Sequence, residues 1–169
     1  MIYFLIGFMG SGKSFVGKRL AEKLNCDFVD LDDYLVEKEG LSIAEIFEKY
    51  DENYFREKES IYLSHFFDKK NIVLATGGGA PCFFDNMKKM CNNGITIYLY
   101  ISPTLLFERL SKQKEQRPLL KGKTDDELRD FIFNKTKERA AYYDKAEIIF
   151  EIKENGNKII DDIFDCLTL

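Results

Sequence analysis

Five consecutive apolar residues, Ile2 to Ile6, run straight into Gly7-Phe8-Met9-Gly10-Ser11-Gly12-Lys13-Ser14, and few local sequences restrict a fold as tightly. The stretch satisfies Gly-x-x-x-x-Gly-Lys-Ser/Thr at each fixed position. Such glycines let successive backbone N–H groups turn inward as an anion nest, and a helix starting at the end of the loop adds its positive terminus. Lys13 has the reach for β- and γ-phosphates, and the Ser14 hydroxyl suits Mg²⁺. The rival is a dinucleotide-binding turn, because Gly10-x-Gly12 is followed by Asp30 and Asp32 at about the twenty-residue distance that turn requires. That fingerprint wants a small residue where Phe15 stands and has no use for Lys13. A nucleoside triphosphate loop is the better reading.

The rest of the chain repeats the strand–loop–helix theme. Short apolar runs predict strands at 2–6, 28–32, 72–75, 96–101 and 148–152, separated by helical patterns. This alternation is the signature of βαβ units around a parallel sheet, so the fold class is α/β and the 169 residues form one domain. The first helix is expected over 14–24, and 33–67 reads as helical throughout. Within it Ser42 with Glu45 makes a capping box, and Asp51 to Asn53 a polar break. Ser102-Pro103 is an N-cap followed by proline at the first helical position, and Thr124 with Glu127 opens a helix to Tyr143. A last amphipathic helix closes the chain.

Composition excludes several classes. A net charge of −4 gives no ground for nucleic-acid or membrane binding, so an anionic ligand must be captured by local charge. Cys26, Cys82, Cys91 and Cys166 are scattered without a C-x-x-C pair, against a zinc site or disulfide framework. The single histidine, His65, cannot build a metal cluster and reads as structural or surface. The start of the chain has no basic leader region, so a cytoplasmic location is expected. The charge-dense segment 112–123, with Arg117-Pro118 and Gly122, is either a solvated surface loop or a lid that delivers an arginine over an active site.

Residues for the second ligand lie where an open α/β sheet binds ligands, at the carboxyl ends of its strands. Asp30 and Asp32 are two apart at the end of the second strand and are expected on the same side. One could cap the next helix while the other, Asp32, orients an acceptor hydroxyl and helps position magnesium. Gly77-Gly78-Gly79 ends the third strand, and three successive glycines suggest close approach of backbone to a ligand. That strand, Ile72-Val73-Leu74-Ala75-Thr76, lacks the acidic residue that phosphate-loop enzymes commonly place there, which shifts weight onto Asp30 and Asp32. Arg56 and Arg139, taken alone, belong to ordinary charged helix faces.

Taken together, Gly7 to Ser14, Val29-Asp30-Leu31-Asp32, Phe55-Arg56-x-x-Glu59, Thr76-Gly77-Gly78-Gly79, Arg117-Pro118-Leu119-Leu120 and Arg139-x-x-x-Tyr143 resemble the shikimate kinase family, in order and across nearly the whole chain. The resemblance implies a three-layer α/β/α nucleoside monophosphate kinase-like P-loop fold with a five-stranded parallel sheet, a substrate-binding helical subdomain over about 31–62 and a lid over about 110–124. It implies ATP-dependent phosphorylation of the shikimate 3-hydroxyl, with Mg²⁺, by a monomer. By similarity Arg56 and Arg139 grip the shikimate carboxylate, Asp32 binds the ring hydroxyls and takes the proton, and Gly77, Gly78 and Gly79 pass close to the ring. Lys13 and Arg117 serve the transferring phosphate. ATP contacts fall on Gly10, Ser11, Gly12, Lys13, Ser14, Phe15, Arg109 and Arg117, and metal contacts on Ser14, Asp30 and Asp32, directly or through water. Arg109 or the turn 153–157 meets the adenine.

Two other readings are open to such a chain. Gluconate also offers a carboxylate and hydroxyls, so a gluconate or nucleoside monophosphate kinase is the nearest enzyme alternative. A nucleotide-sensing regulator without turnover is the alternative from another class, and the joint presence of Lys13, Ser14, Asp32 and Arg117 argues against it.

Overall fold

The computed structural model describes residues 1–153 and 156–168. Its strands are β1 (Ile2–Ile6), β2 (Asp27–Asp30), β3 (Ile72–Ala75), β4 (Ile95–Tyr100) and β5 (Ile148–Glu151). In chain order the helices are α1 (Lys13–Leu24), α2 (Leu31–Glu39), α3 (Ile43–Lys49), α4 (Glu52–Ser64), α5 (Asn86–Asn93), α6 (Pro103–Leu110), α7 (Asp125–Tyr143) and α8 (Gly156–Thr168).

Side-chain alternation in β1 decides the layout. Leu5 enters one core, while Ile2, Phe4 and Ile6 enter the other. A strand buried on both faces belongs inside a parallel sheet, and β1 is central in the observed order β2-β3-β1-β4-β5, every pair parallel. One face is covered by Val16 and Leu20 of α1, Leu106 of α6, Ile132 of α7 and Ile163 of α8. The other is covered by Leu31 of α2, Leu63 of α4, Met87 and Met90 of α5, and Tyr143 of α7. The result is the expected three-layer arrangement. Each fully buried Leu or Ile contributes about 1.5–3 kcal/mol of hydrophobic stabilisation.

The predicted caps are present. Ser42 Oγ accepts from the Glu45 N–H at 3.2 Å while Glu45 Oε2 accepts from the Ser42 N–H at 2.7 Å. Thr124 and Glu127 repeat the same reciprocal pair at 3.2 and 2.7 Å. Ser102 caps α6 as predicted, and Asp51, expected only as part of a polar break, caps α4. Helices α2 to α4 close around a small core of their own, Leu35, Ile46 and Phe55.

Two features differ from expectation. The second strand stops at Asp30 instead of reaching residue 32, because the Asp30 carboxylate accepts the Asp32 N–H at 3.0 Å and caps α2 there. Asp32 therefore stands on the first turn of a helix, and strand alternation is not what aims it. Helix α5 was absent from the expected elements; it is short, polar, and entered through Phe84 and Asp85 with φ of 48° and 55°. Parallel β3 and β4 require a crossover, and α5 supplies it by burying Met87 and Met90.

Strands β1 and β3 are neighbours, with Leu5 opposite Ala75. From β1 the chain turns toward β2, and from β3 it crosses to β4 on the other side. The carboxyl ends of these two strands thus part around a crevice, the topological switch point of an open α/β sheet.

Candidate active site

The loop between β1 and α1 forms one wall of the crevice. Gly12 stands at φ 90°, the left-handed region favoured by glycine, as the residue that starts α1. Lys13 is nearly buried, and its Nζ donates to the carbonyls of Gly7 at 2.9 Å and Phe8 at 3.0 Å. Burial lowers its pKa to about 8, against the opposing pull of Asp32 and Asp30. Ser11 is fully buried and its Oγ lacks a hydrogen-bond partner.

Asp30 and Ser14 meet in front of this loop, Ser14 Oγ donating to Asp30 Oδ2 at 2.5 Å. Asp30 thus caps α2 with one oxygen and holds Ser14 with the other. Asp32 is half-buried, and its Oδ1 has no hydrogen-bond partner. Burial, and then the charge of Asp30, push its carboxyl up to about 6, with Lys13 and Arg56 opposing. A hydroxyl beside two carboxylates is an oxygen donor set suited to Mg²⁺, so Ser14, Asp30 and Asp32 fit the expected ion.

Two cavities adjoin here. One of about 690 Å³ is lined by Lys13, Ser14, Phe15, Asp30, Arg109 and Arg117, among others. The second, about 390 Å³, is lined by Arg56, Glu59, Gly77, Gly79, Pro118 and Arg139, among others. Asp32, Gly78 and Arg117 line both. Arg117 leaves a short 3₁₀ turn, Lys114–Gln116, and its Nε is buried without a partner while Nη2 donates to Gln113 at 3.2 Å. Burial lowers its pKa, and Asp32 opposes that. The segment is pinned at its far end by the fully buried Leu120 and by a Lys114–Asp125 ion pair at 3.1 Å.

In the second cavity Arg56 is 4% exposed. Its Nη1 donates to Glu59 at 2.8 Å, and Nε and Nη2 reach Glu52 at 3.3 and 3.2 Å. Arg139, from α7, is 5% exposed, and its Nη1 is without a partner. The three glycines are explained by these neighbours. A Cβ on Gly77 would stand 2.2 Å from Glu59 Oε1, one on Gly79 2.5 Å from Arg56 Nη2, and one on Gly78 2.9 Å from the Met9 nitrogen. Their spacing to the Arg56–Glu59 pair and to the phosphate loop, not a left-handed φ, is what demands glycine.

Glu59 closes the Arg56-x-x-Glu59 pattern on α4, and sequence alone assigns it no role. It is fully buried, Oε1 is unpartnered, and burial pushes it up to about 7, with Arg56 opposing and Asp32 reinforcing. Its signal in sequence was the three-residue spacing from Arg56 on a helix. Arg109 lines the larger cavity, and its Nη1 donates to the Gly10 carbonyl at 3.1 Å, so it braces the loop. The second adenine candidate, the turn 153–157, has its centre at 154 and 155, outside the described residues. His65 hydrogen-bonds Tyr34 at 3.2 Å, as expected of a structural residue.

The family model for shikimate kinase matches residues 9–168. A shikimate kinase from Bacteroides thetaiotaomicron is 46% identical over 151 residues, covering 89% of this chain and 86% of that one. A crystal structure of shikimate kinase from the same organism superposes with TM-score 0.93 at 41% identity, covering 100% of this chain and 99% of that one. Shikimate kinase from Acinetobacter baumannii in complex with shikimate gives TM-score 0.90 at 32% identity, covering 99% and 92%. With the family model matching almost the whole chain, and relatives at 46% identity carrying the same fold, the chain belongs to the shikimate kinase family.

Proposed function

We propose that the chain transfers the γ-phosphoryl group of ATP to the 3-hydroxyl of shikimate, giving ADP and shikimate 3-phosphate for chorismate and aromatic amino-acid biosynthesis. The observation that carries this reading is Asp32, which lines both the triphosphate-sized cavity and the arginine-lined one. A carboxylate shared by both cavities stands where an acceptor hydroxyl must meet a donor phosphate.

In this reading Gly10, Ser11, Gly12, Lys13, Ser14 and Phe15 hold the triphosphate, with Arg109 at the nucleoside side. Arg56 and Arg139 bind the shikimate carboxylate; planar guanidinium forks suit bidentate capture better than an ammonium does. Gly77, Gly78 and Gly79 bring backbone against the ring. Asp32 orients the 3-hydroxyl and accepts its proton. Its raised pKa makes it a better acceptor than an ordinary aspartate, yet leaves it mostly ionised at neutral pH. Lys13 and Arg117 neutralise the charge on the moving phosphoryl group, an effect that is worth roughly 10³–10⁵ in rate for an arginine. Ser14, Asp30 and Asp32 would hold Mg²⁺ directly or through water, and the ion would supply positive charge against the phosphates. Residues 31–62 act as the substrate-binding subdomain, and 110–124 as a lid whose closure keeps water from taking the phosphate.

We place the enzyme in the cytoplasm as a monomer; no helix among the described residues is long and apolar enough to cross a membrane. An ADP-release assay against shikimate, gluconate and nucleoside monophosphates tests the reading. ADP should form with shikimate and Mg²⁺ together and not with the other acceptors. Turnover with gluconate or a nucleotide but not shikimate would overturn it.

A further inference from the structure

Tyr143 ends α7 one turn after Arg139 and is 1% exposed, among the largest fully buried side chains. Its phenol donates to the carbonyl oxygen of Gly78 at 2.5 Å. Burial pushes its pKa far above the ordinary tyrosine value, with Arg139 opposing, so the phenol keeps its proton and remains a donor at neutral pH. The ring is fixed in turn, packed against Tyr98 with centroids 4.9 Å apart and sharing a core with Phe4 and Met90.

On its other side Gly78 has no slack. A Cβ there would stand 2.9 Å from the Met9 nitrogen and 3.5 Å from the Gly7 carbonyl oxygen. One peptide of the glycine turn is therefore clamped between the phosphate loop and a buried phenol. No peptide bond among the described residues is cis. In a trans peptide the C=O and the following N–H point opposite ways. A Gly78 carbonyl held toward the core by Tyr143 therefore turns the Gly79 N–H away from it.

We propose that Tyr143 is a positioning residue for phosphoryl transfer. Its hydrogen bond to Gly78 fixes the orientation of the 78–79 peptide and the spacing between the acceptor turn and the phosphate loop. Helix α7 then supplies both an acceptor-binding arginine and, four residues on, the group that holds the turn beside it. The proposal rests on the reading of the second cavity as the shikimate site. Tyr143 is 1% exposed, so it acts through the groups it holds, the Gly78 carbonyl and, beside it, Arg139.

The test is Tyr143→Phe, which keeps the ring and removes the hydroxyl, beside Tyr98→Phe, which loses a hydroxyl from the same ring pair but not from the glycine turn. Shikimate kcat/KM, ATP affinity and thermal midpoint are measured for both and for the wild type. Loss of one buried hydrogen bond should lower shikimate kcat/KM about five- to tenfold in Tyr143→Phe. ATP affinity should stay within about twofold, and Tyr98→Phe should match the wild type. A second readout is the Gly79 amide resonance, which shikimate should shift in the wild type and much less in Tyr143→Phe. A shikimate kcat/KM within about twofold of wild type, or ATP and shikimate weakened equally, would overturn the proposal. Absence of shikimate turnover in the wild type would instead overturn the acceptor reading, and this proposal with it.

Discussion

Arg56 and Glu59 lie three residues apart on α4, and their side chains meet at 2.8 Å with almost no exposed surface between them. Glu52 holds the opposite edge of the same guanidinium at 3.2 Å. Two carboxylates thus fix the plane of Arg56, and a lysine, whose charge is a single point, cannot be fixed in that way. Arg56→Lys should raise the shikimate KM about 10- to 100-fold and leave the ATP KM within about twofold, as steady-state kinetics with each substrate varied will measure. Equal weakening of both substrates would point to damage to the fold.

The raised pKa of Glu59 makes stability depend on pH. Arg56, Asp32 and Arg139 are the charges that face it, and burial outweighs the arginines in moving it up to about 7. A carboxyl raised in the folded state contributes stability below its unfolded value near 4.5 and loses it as pH rises through 7. Glu59→Gln cannot ionise and lacks that loss. The thermal midpoint of Glu59→Gln relative to wild type should therefore climb by a few degrees between pH 5.5 and 8. A constant difference would show that Glu59 does not titrate there.

Gly79→Ala would put a methyl group 2.5 Å from the Arg56 guanidinium, closer than any relaxed contact allows. The arginine must swing, so the shikimate KM should rise at least about tenfold while ATP binding holds. Kinetics and a nucleotide titration check this. An unchanged shikimate KM would mean that Arg56 is free to move without cost.

Arg117 lines both cavities, and its Nε is buried without a partner. Arg117→Ala should lower kcat about 10³-fold with a much smaller change in ATP affinity, the pattern of a group that acts mainly on the transferring phosphoryl. Rapid-quench measurement of the chemical step checks it.

Much of this was legible from residue order. Ile2 to Ile6 and Gly7 to Ser14 announce a central strand and a phosphate loop, and the Ser42–Glu45 and Thr124–Glu127 pairs start their helices where the spacing says. What sequence could not give was direction. The division of labour between Asp30 and Asp32 is readable in sequence, but strand alternation puts both on β2, and only the hydrogen bond from the Asp32 N–H shows that Asp32 is aimed by the first turn of a helix. The three glycines suggest a ligand, but sequence does not show that a side chain there would also strike Glu59, Arg56 or the phosphate loop. Those contacts join residues far apart in the chain and have no local pattern. Helix α5 escaped because its eight residues are shorter than the window over which a helical period is counted.

The central claim is that Asp32 takes the acceptor proton where the two cavities join. Asp32→Asn keeps the shape and removes the basic oxygen. Turnover of ATP with shikimate should fall about 10²–10⁴-fold while ATP affinity measured by titration changes little. A variant with near-normal turnover would contradict the account, because no other assignment on this site would then explain the proton.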